Sequence, residues 1–175
     1  MSRLLLCLAV ALAGCAADVD LPPPSIEPRP APDFSLKDVS GQIFNSEALK
    51  GKWIVLNIWA SWCPACVREI PSFIELQNKL AKKNVQFVGV AIDEEGGETV
   101  APFAERVKFN YPIFLGDMNF VRDAFGPINA VPTTFIIDPE WRLVDQFTGA
   151  LDQKVLEGVL RGFISGRRNF GSDGE

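Results

Sequence analysis

The chain has 175 residues, a formal net charge of −5, 47% hydrophobic and 10% aromatic residues, four Cys and no His. That length and aromatic content suit one packed domain with appendages. The lack of His excludes Ser/His and Cys/His catalytic pairs, imidazole metal sites and haem attachment through Cys-x-x-Cys-His, and the acidic balance argues against nucleic acid, which needs clustered Lys and Arg.

Residues 1–14 carry one charge, Arg3, followed by an apolar run over 4–13. The run is too short to span a bilayer, which takes about 20 residues, so it reads as a signal peptide. Leu12-Ala13-Gly14-Cys15 resembles the lipobox of bacterial lipoproteins, whose Cys receives diacylglycerol and becomes the new N-terminus. Two or more acyl chains on Cys15 would attach the chain stably to a lipid membrane, on the periplasmic side. Ala16 rather than Asp after the Cys points, by resemblance to bacterial sorting rules, to the outer membrane. The competing reading is cleavage after Ala11-Leu12-Ala13, which releases a soluble protein.

The lipidated N-terminus and its tether are assigned to 15–32, where Pro22, Pro23, Pro24, Pro28, Pro30 and Pro32 supply six of the 13 prolines. Such a stretch is a semi-rigid spacer, and at about 3.1 Å per residue it would hold the domain roughly 50 Å from an anchor. The competing reading is a disordered leader. The folded domain is expected over 33–166, without internal repeats, and 167–175 as a frayed tail.

Within the domain, the run Trp53-Ile54-Val55-Leu56-Asn57-Ile58-Trp59-Ala60 predicts a central strand covered on both faces. A helix starts at Cys63 with Pro64 in its first turn, where a missing N–H is harmless, and Pro71 inside it predicts a kink. A strand over 85–92, a helix over 98–107, a short strand over 111–115 and a short helix over 119–125 follow. Strands over 133–137 and 143–147 and a helix over 152–164 complete the pattern. Strands alternating with helices imply an α/β sheet covered on both sides.

With Cys15 lipidated and Cys7 removed, Cys63 and Cys66 are the remaining free thiols. Their spacing allows a small-ring disulfide, and a helix N-terminus aims unsatisfied N–H groups at the first sulfur, which makes Cys63 the candidate nucleophile. Lowering a thiol from about 8.5 to about 7 takes roughly 2 kcal/mol, whereas a helix dipole usually gives 0.3 to 1. Direct hydrogen bonds from backbone N–H groups or from Cys66 must supply the rest. Cys66 is then the resolving thiol that attacks the mixed disulfide. A structural disulfide would close too short a loop to gain much chain entropy. Zinc would need two further good ligands, so no metal is assigned, although two sulfurs alone can hold Cu(I).

Trp59-Ala60-Ser61-Trp62-Cys63-Pro64-Ala65-Cys66 together with Val131-Pro132-Thr133-Thr134-Phe135 resembles the thioredoxin superfamily. Ala31-Pro32-Asp33-Phe34, Gly51-Lys52, Gly89-Val90 and Phe135-Ile136-Ile137-Asp138 are similar to its TlpA/ResA/CcmG-like branch of exported or membrane-attached thiol-disulfide oxidoreductases. The resemblance implies a thioredoxin-like fold, three-layer α/β/α with a central mixed sheet, and no cofactor. It also implies a cis Pro132 facing the dithiol, with the Val131 backbone free to pair with an extended substrate. Where thioredoxin has a buried Asp six residues before the first Cys, this chain has Asn57. The branch instead offers a Glu three residues after the second Cys, here Glu69, on one helix face with Cys66 and able, if its pKa is raised by burial, to help deprotonate it. The competing reading is a solvated Glu.

Trp62 reads as a lid on the dithiol or as a surface aromatic. Asp93-Glu94-Glu95 reads as a loop selecting partners or, more simply, as a solvated turn. The function implied is an exported, membrane-anchored reductase of disulfides in exported proteins, apocytochrome c among them, fed by an upstream membrane electron donor. A thiol peroxidase is the first alternative, but Leu56 and Ala60 fill the Pro and Thr places of the peroxidatic pattern P-x-x-x-(T/S)-x-x-C. A Cu(I)-binding metallochaperone is the second.

Overall fold

The computed structural model describes residues 22–168. The signal segment, Cys15 and the tail from 169 onward lie outside the described residues. Eight strands form one mixed sheet in the order β1-β8-β7-β4-β5-β6-β2-β3. At its centre β4 (Trp53–Trp59) runs parallel to β5 (Val85–Ala91) and antiparallel to β7 (Thr133–Ile137). Their residues are almost all buried, as expected of strands covered on both faces. Ile54, Leu56, Ile58, Phe87 and Phe135 are fully buried, and each contributes about 1.5–3 kcal/mol of apolar burial.

Helices α1 (Pro64–Leu80) and α4 (Gln153–Ile164) pack together on one face, where Phe73 meets Phe87 at 5.4 Å and Phe163 stacks on Trp53. Helix α3 (Met118–Phe125) covers the other face, with Phe125 stacked on Phe135 at 4.9 Å. Helix α2 (Gly97–Val107) brings Phe103 against Trp59. Helix α1 continues through Pro71 as one element. Gly89 lets the indole of Trp59 lie against the strand, since a Cβ there would stand 2.9 Å from Nε1. The thioredoxin-like α/β fold implied by the sequence is the fold observed.

Among the described residues, three strands have no counterpart in the sequence reading. A hairpin of β2 (Ser35–Asp38) and β3 (Ile43–Asn45) extends the sheet beyond β6 (Ile113–Leu115), and β1 (Arg29–Pro30) pairs with β8 (Arg142–Thr148) at the opposite edge. The last of these shortens the proposed spacer. Ser25 bonds to Asp145, Arg29 donates to the Phe125 carbonyl, and Ala31 is buried and donates its N–H to the Trp141 carbonyl. The chain is therefore docked from Ser25 onward rather than from Asp33. At the other end Arg168, placed in the frayed tail by the sequence, is buried and ion-paired with Asp145 at 2.6 Å.

Candidate active site

Strand β4 ends at Trp59 on the carboxyl side of the sheet, and the next four residues turn the chain into α1. Cys63 is the N-cap of that helix, in extended conformation, and Pro64 takes the first helical position. The Cys66 N–H donates to Cys63 Sγ at 3.2 Å, a direct backbone bond to the first sulfur of the kind the energetics require. The two cysteines form a disulfide with Cα atoms 5.3 Å apart. Cys63 retains 5% exposure and Cys66 none, so a partner's sulfur can approach Cys63 alone.

The start of β7 faces this disulfide. The Val131-Pro132 peptide is cis, and the Val131 carbonyl oxygen lies 3.7 Å from Cys63 Sγ. Trp62, 62% exposed, stands beside the pair and is not packed into the core. An open groove of about 730 Å³ runs from Trp62 and Val131 to Glu94, Glu95 and the start of α3 at Asp117 and Met118. Its charged lining residues are all acidic.

The acidic loop is not simply a solvated turn. Glu94 and Glu95 are exposed, but Asp93 is buried and accepts the Ser61 N–H through both carboxylate oxygens, at 3.2 and 3.1 Å, and the Ser61 hydroxyl. The reason is hydrogen-bond completeness: Ser61 is half-buried in the turn between β4 and α1, and a carboxylate accepts its N–H and hydroxyl at once. Asp93 thereby fixes the segment that carries Trp62 and Cys63 from a loop 32 residues away. No local sequence signal marks this contact, because an Asp at the head of an acidic run looks solvated.

Behind the disulfide, Glu69 is buried on α1. Its two oxygens accept from Asn57 Nδ2 at 3.0 Å and from the Leu151 N–H at 3.1 Å, and the Asn57 amide also donates to Thr134 Oγ1. Burial pushes the Glu69 carboxyl up to about 7, and the two hydrogen bonds hold it from going higher. The Tyr111 phenol is pushed up as well, by burial first and then by the Glu69 charge. Glu69 is thus not the solvated surface residue of the competing reading. Asn57, singled out as a departure from thioredoxin, is its direct partner.

A disulfide at a helix N-terminus, in contact with a cis-proline loop and beside an open groove, defines a dithiol protein of the thioredoxin fold. The family model described as "AhpC/TSA family" matches residues 28–146, and the chain belongs to that family. Its relatives include the thiol-disulfide oxidoreductase ResA of Bacillus subtilis (strain 168), 32% identical over 130 residues, covering 74% of this chain and 72% of that one. ResA of Geobacillus thermodenitrificans (strain NG80-2) is 34% identical over 124 residues, covering 71% and 70%. Among solved structures, a thiol:disulfide interchange protein of the thioredoxin family from Chlorobium tepidum TLS superposes with a TM-score of 0.71. It is 30% identical and covers 79% of this chain and 98% of that chain. The activity of the present chain is thiol-disulfide exchange through Cys63 and Cys66, on disulfide-containing proteins.

Proposed function

We propose that the protein acts outside the cytoplasm, held to a bacterial membrane as a lipoprotein through Cys15, and reduces disulfides of exported proteins, apocytochrome c among them. An upstream membrane protein would supply the electrons. The observation that carries the direction of attack is the asymmetry of the pair: Cys63 sits at the helix N-terminus beside Val131 and the groove, while Cys66 is sealed beneath it.

In the reduced protein the Cys63 thiolate, favoured by the Cys66 N–H and the helix N-terminus, attacks one sulfur of the partner's disulfide. The partner's second sulfur leaves as a thiolate, and Cys63 holds the first in a mixed disulfide. An extended partner segment pairs with the Val131 backbone, next to Pro132, and packs on Trp62. Cys66 then loses its proton to Glu69 and attacks Cys63 Sγ. The partner leaves with two thiols, and two electrons have passed to it as the Cys63–Cys66 disulfide forms. No other co-reactant enters.

The test is Cys66→Ala, which leaves Cys63 unresolved. Specific exported proteins are expected to remain covalently attached in vivo and to disappear from the Cys66→Ala preparation when Cys63 is also replaced. Adducts that persist without Cys63, or no adducts at all, would overturn the assignment.

The family's name makes peroxide an obvious competing oxidant. With Leu56 and Ala60 in place of the peroxidatic Pro and Thr, Cys63 lacks those peroxide-orienting groups. Hydrogen peroxide consumption is expected to be slow and linear in concentration, and saturable turnover in a stopped-flow assay would reverse that ranking.

A further inference from the structure

We infer that Asn57 is a positioning residue for the resolving step: its side-chain amide, braced against Thr134, holds one oxygen of the Glu69 carboxyl and keeps that group a proton acceptor for Cys66. This deepens the proton-transfer role proposed above for Glu69 and rests on it.

The placement of the amide carries it. Asn57 is buried in β4, where its neighbours from Trp53 to Ala60 are otherwise apolar. The fold has no need of an amide there: a buried amide costs stability unless its hydrogen bonds are made, whereas Leu56 and Ile58 pack beside it without that cost. Strand register sets Asn57 opposite Thr134 on β7, two residues beyond Pro132. The Asn57 Nδ2 group donates to Thr134 Oγ1 and to Glu69 Oε1, each at 3.0 Å. Turning the amide over would aim its own oxygen at the carboxylate, so these two acceptors fix its orientation. The other Glu69 oxygen accepts the Leu151 N–H at 3.1 Å, from the segment just before α4. The carboxyl is thereby clamped between α1, β4 and that segment, one helical turn beyond Cys66.

Donors at both oxygens favour the ionised form of a carboxyl that burial drives toward the neutral one. The titratable neighbours of Glu69 are Cys66, one turn earlier on α1, and Tyr111, ahead of β6, whose phenol burial keeps neutral. Among the described residues no Lys or Arg is ion-paired with Glu69. The Leu151 and Asn57 bonds therefore oppose the desolvation without help from a cation. An Asp at position 57 would instead bring a second carboxyl to hydrogen-bond distance, and the two would share one proton. Asn57 remains a donor at every pH, so Glu69 titrates without a carboxyl partner.

The test is single-turnover release of a small thiol from a mixed disulfide preformed on Cys63 of the full chain, followed from about pH 5 to 9. Asn57→Leu, of similar volume, and Asn57→Ala both remove the donor. Each is expected to move the inflection near pH 7 upward by about one unit, roughly the effect of one hydrogen bond on a carboxylate. The ionised fraction at pH 7 then falls from about half to about a tenth, and the rate there falls severalfold. In a Glu69→Gln background the same substitutions are expected to shift nothing. An inflection that stays near 7 in a folded variant makes Asn57 purely structural and overturns the inference, as does an equal shift with and without Glu69. Wild-type and Glu69→Gln profiles that superimpose overturn the Glu69 role itself, and the positioning role with it. A second measurement needs no substitution at Asn57: in the reduced wild-type chain its side-chain amide protons, assigned by NMR, are expected to titrate with a midpoint near 7 as the carboxyl they bond ionises. Amide resonances that stay flat through that range overturn the inference whether or not either variant folds.

Discussion

Replacing Glu69 by Gln is expected to slow the resolving step about 100-fold at pH 8, and to remove an inflection near pH 7 from its pH profile. A positioned base contributes typically 10²–10⁴-fold, and its contribution scales with the fraction ionised. With the carboxyl raised to about 7 by burial, roughly one in ten Glu69 side chains is ionised at pH 6 and nine in ten at pH 8. The wild-type rate should therefore climb about tenfold across that interval through Glu69, on top of the ionisation of Cys66 itself. The measurement is single-turnover release of a small thiol from a preformed mixed disulfide on Cys63. Superimposable profiles for wild type and variant would leave Glu69 with a structural role only.

The same burial gives a stability signature of known sign. The folded protein holds the Glu69 proton up to about pH 7, whereas the unfolded chain releases it near 4.5. Protonated Glu69 therefore adds stability that is fully present below pH 4.5 and is lost as pH rises through 7, on the order of 3 kcal/mol. Gln cannot ionise. It carries a constant penalty for offering an NH₂ where the Asn57 amide and the Leu151 N–H require acceptors. Relative to wild type, the variant should gain about 3 kcal/mol between pH 4.5 and 8 in denaturant titrations, while its exchange rate falls. A stability difference that is flat with pH would mean that the Glu69 carboxyl is not raised in the folded state.

Much of this site is legible in the chain because its chemistry is local. The apolar run into Cys63, the proline after it and the i, i+3 placement of Glu69 are set by neighbours in sequence, and the strand and helix that carry them form where those patterns place them. The polar contacts that hold the site are a different matter. Asp93 reaches Ser61 across 32 residues, and Asp145 reaches Ser25 across 120. Each is an acidic residue whose burial depends on donors supplied by a distant segment, and composition around it points the other way. The β2–β3 hairpin fails for a related reason: its strands are four and three residues long, and Ile43 is 75% exposed. What makes them strands is the antiparallel ladder from Lys37 and Asp38 to Leu115 and Phe114. Asn57 and Glu69 are each conspicuous in sequence, but their pairing follows from how α1 lies over β4.

Asp145→Ala is expected to destabilise the domain by about 3–5 kcal/mol, the range for removing one partner of a buried ion pair. Asp145 is wholly buried. One oxygen accepts the Ser25 N–H at 2.8 Å, the Ser25 hydroxyl and its neighbour Gln146 N–H, and the other accepts Arg168 Nη2 at 2.6 Å. A bulge puts it there: Asp145 faces Ile136 while Leu143 faces Ile137, leaving Val144 as the extra residue. Without the carboxylate the Arg168 guanidinium stays over the Phe163 ring with its charge uncompensated, and its Nε has no hydrogen-bond partner among the described residues. At this domain size the loss corresponds to a fall in Tm of about 10–15 °C. An exposed pair such as Lys79–Glu157 should give under 1 kcal/mol when broken. The decisive comparison is the double variant Asp145→Ala, Arg168→Met. If an orphaned charge dominates the loss, removing Arg168 as well should recover at least half of it. If the double variant is as unstable as the single one, the lost bonds to Ser25 and Gln146 dominate. Asp145 would then matter chiefly as the residue that fastens the N-terminal segment along β8.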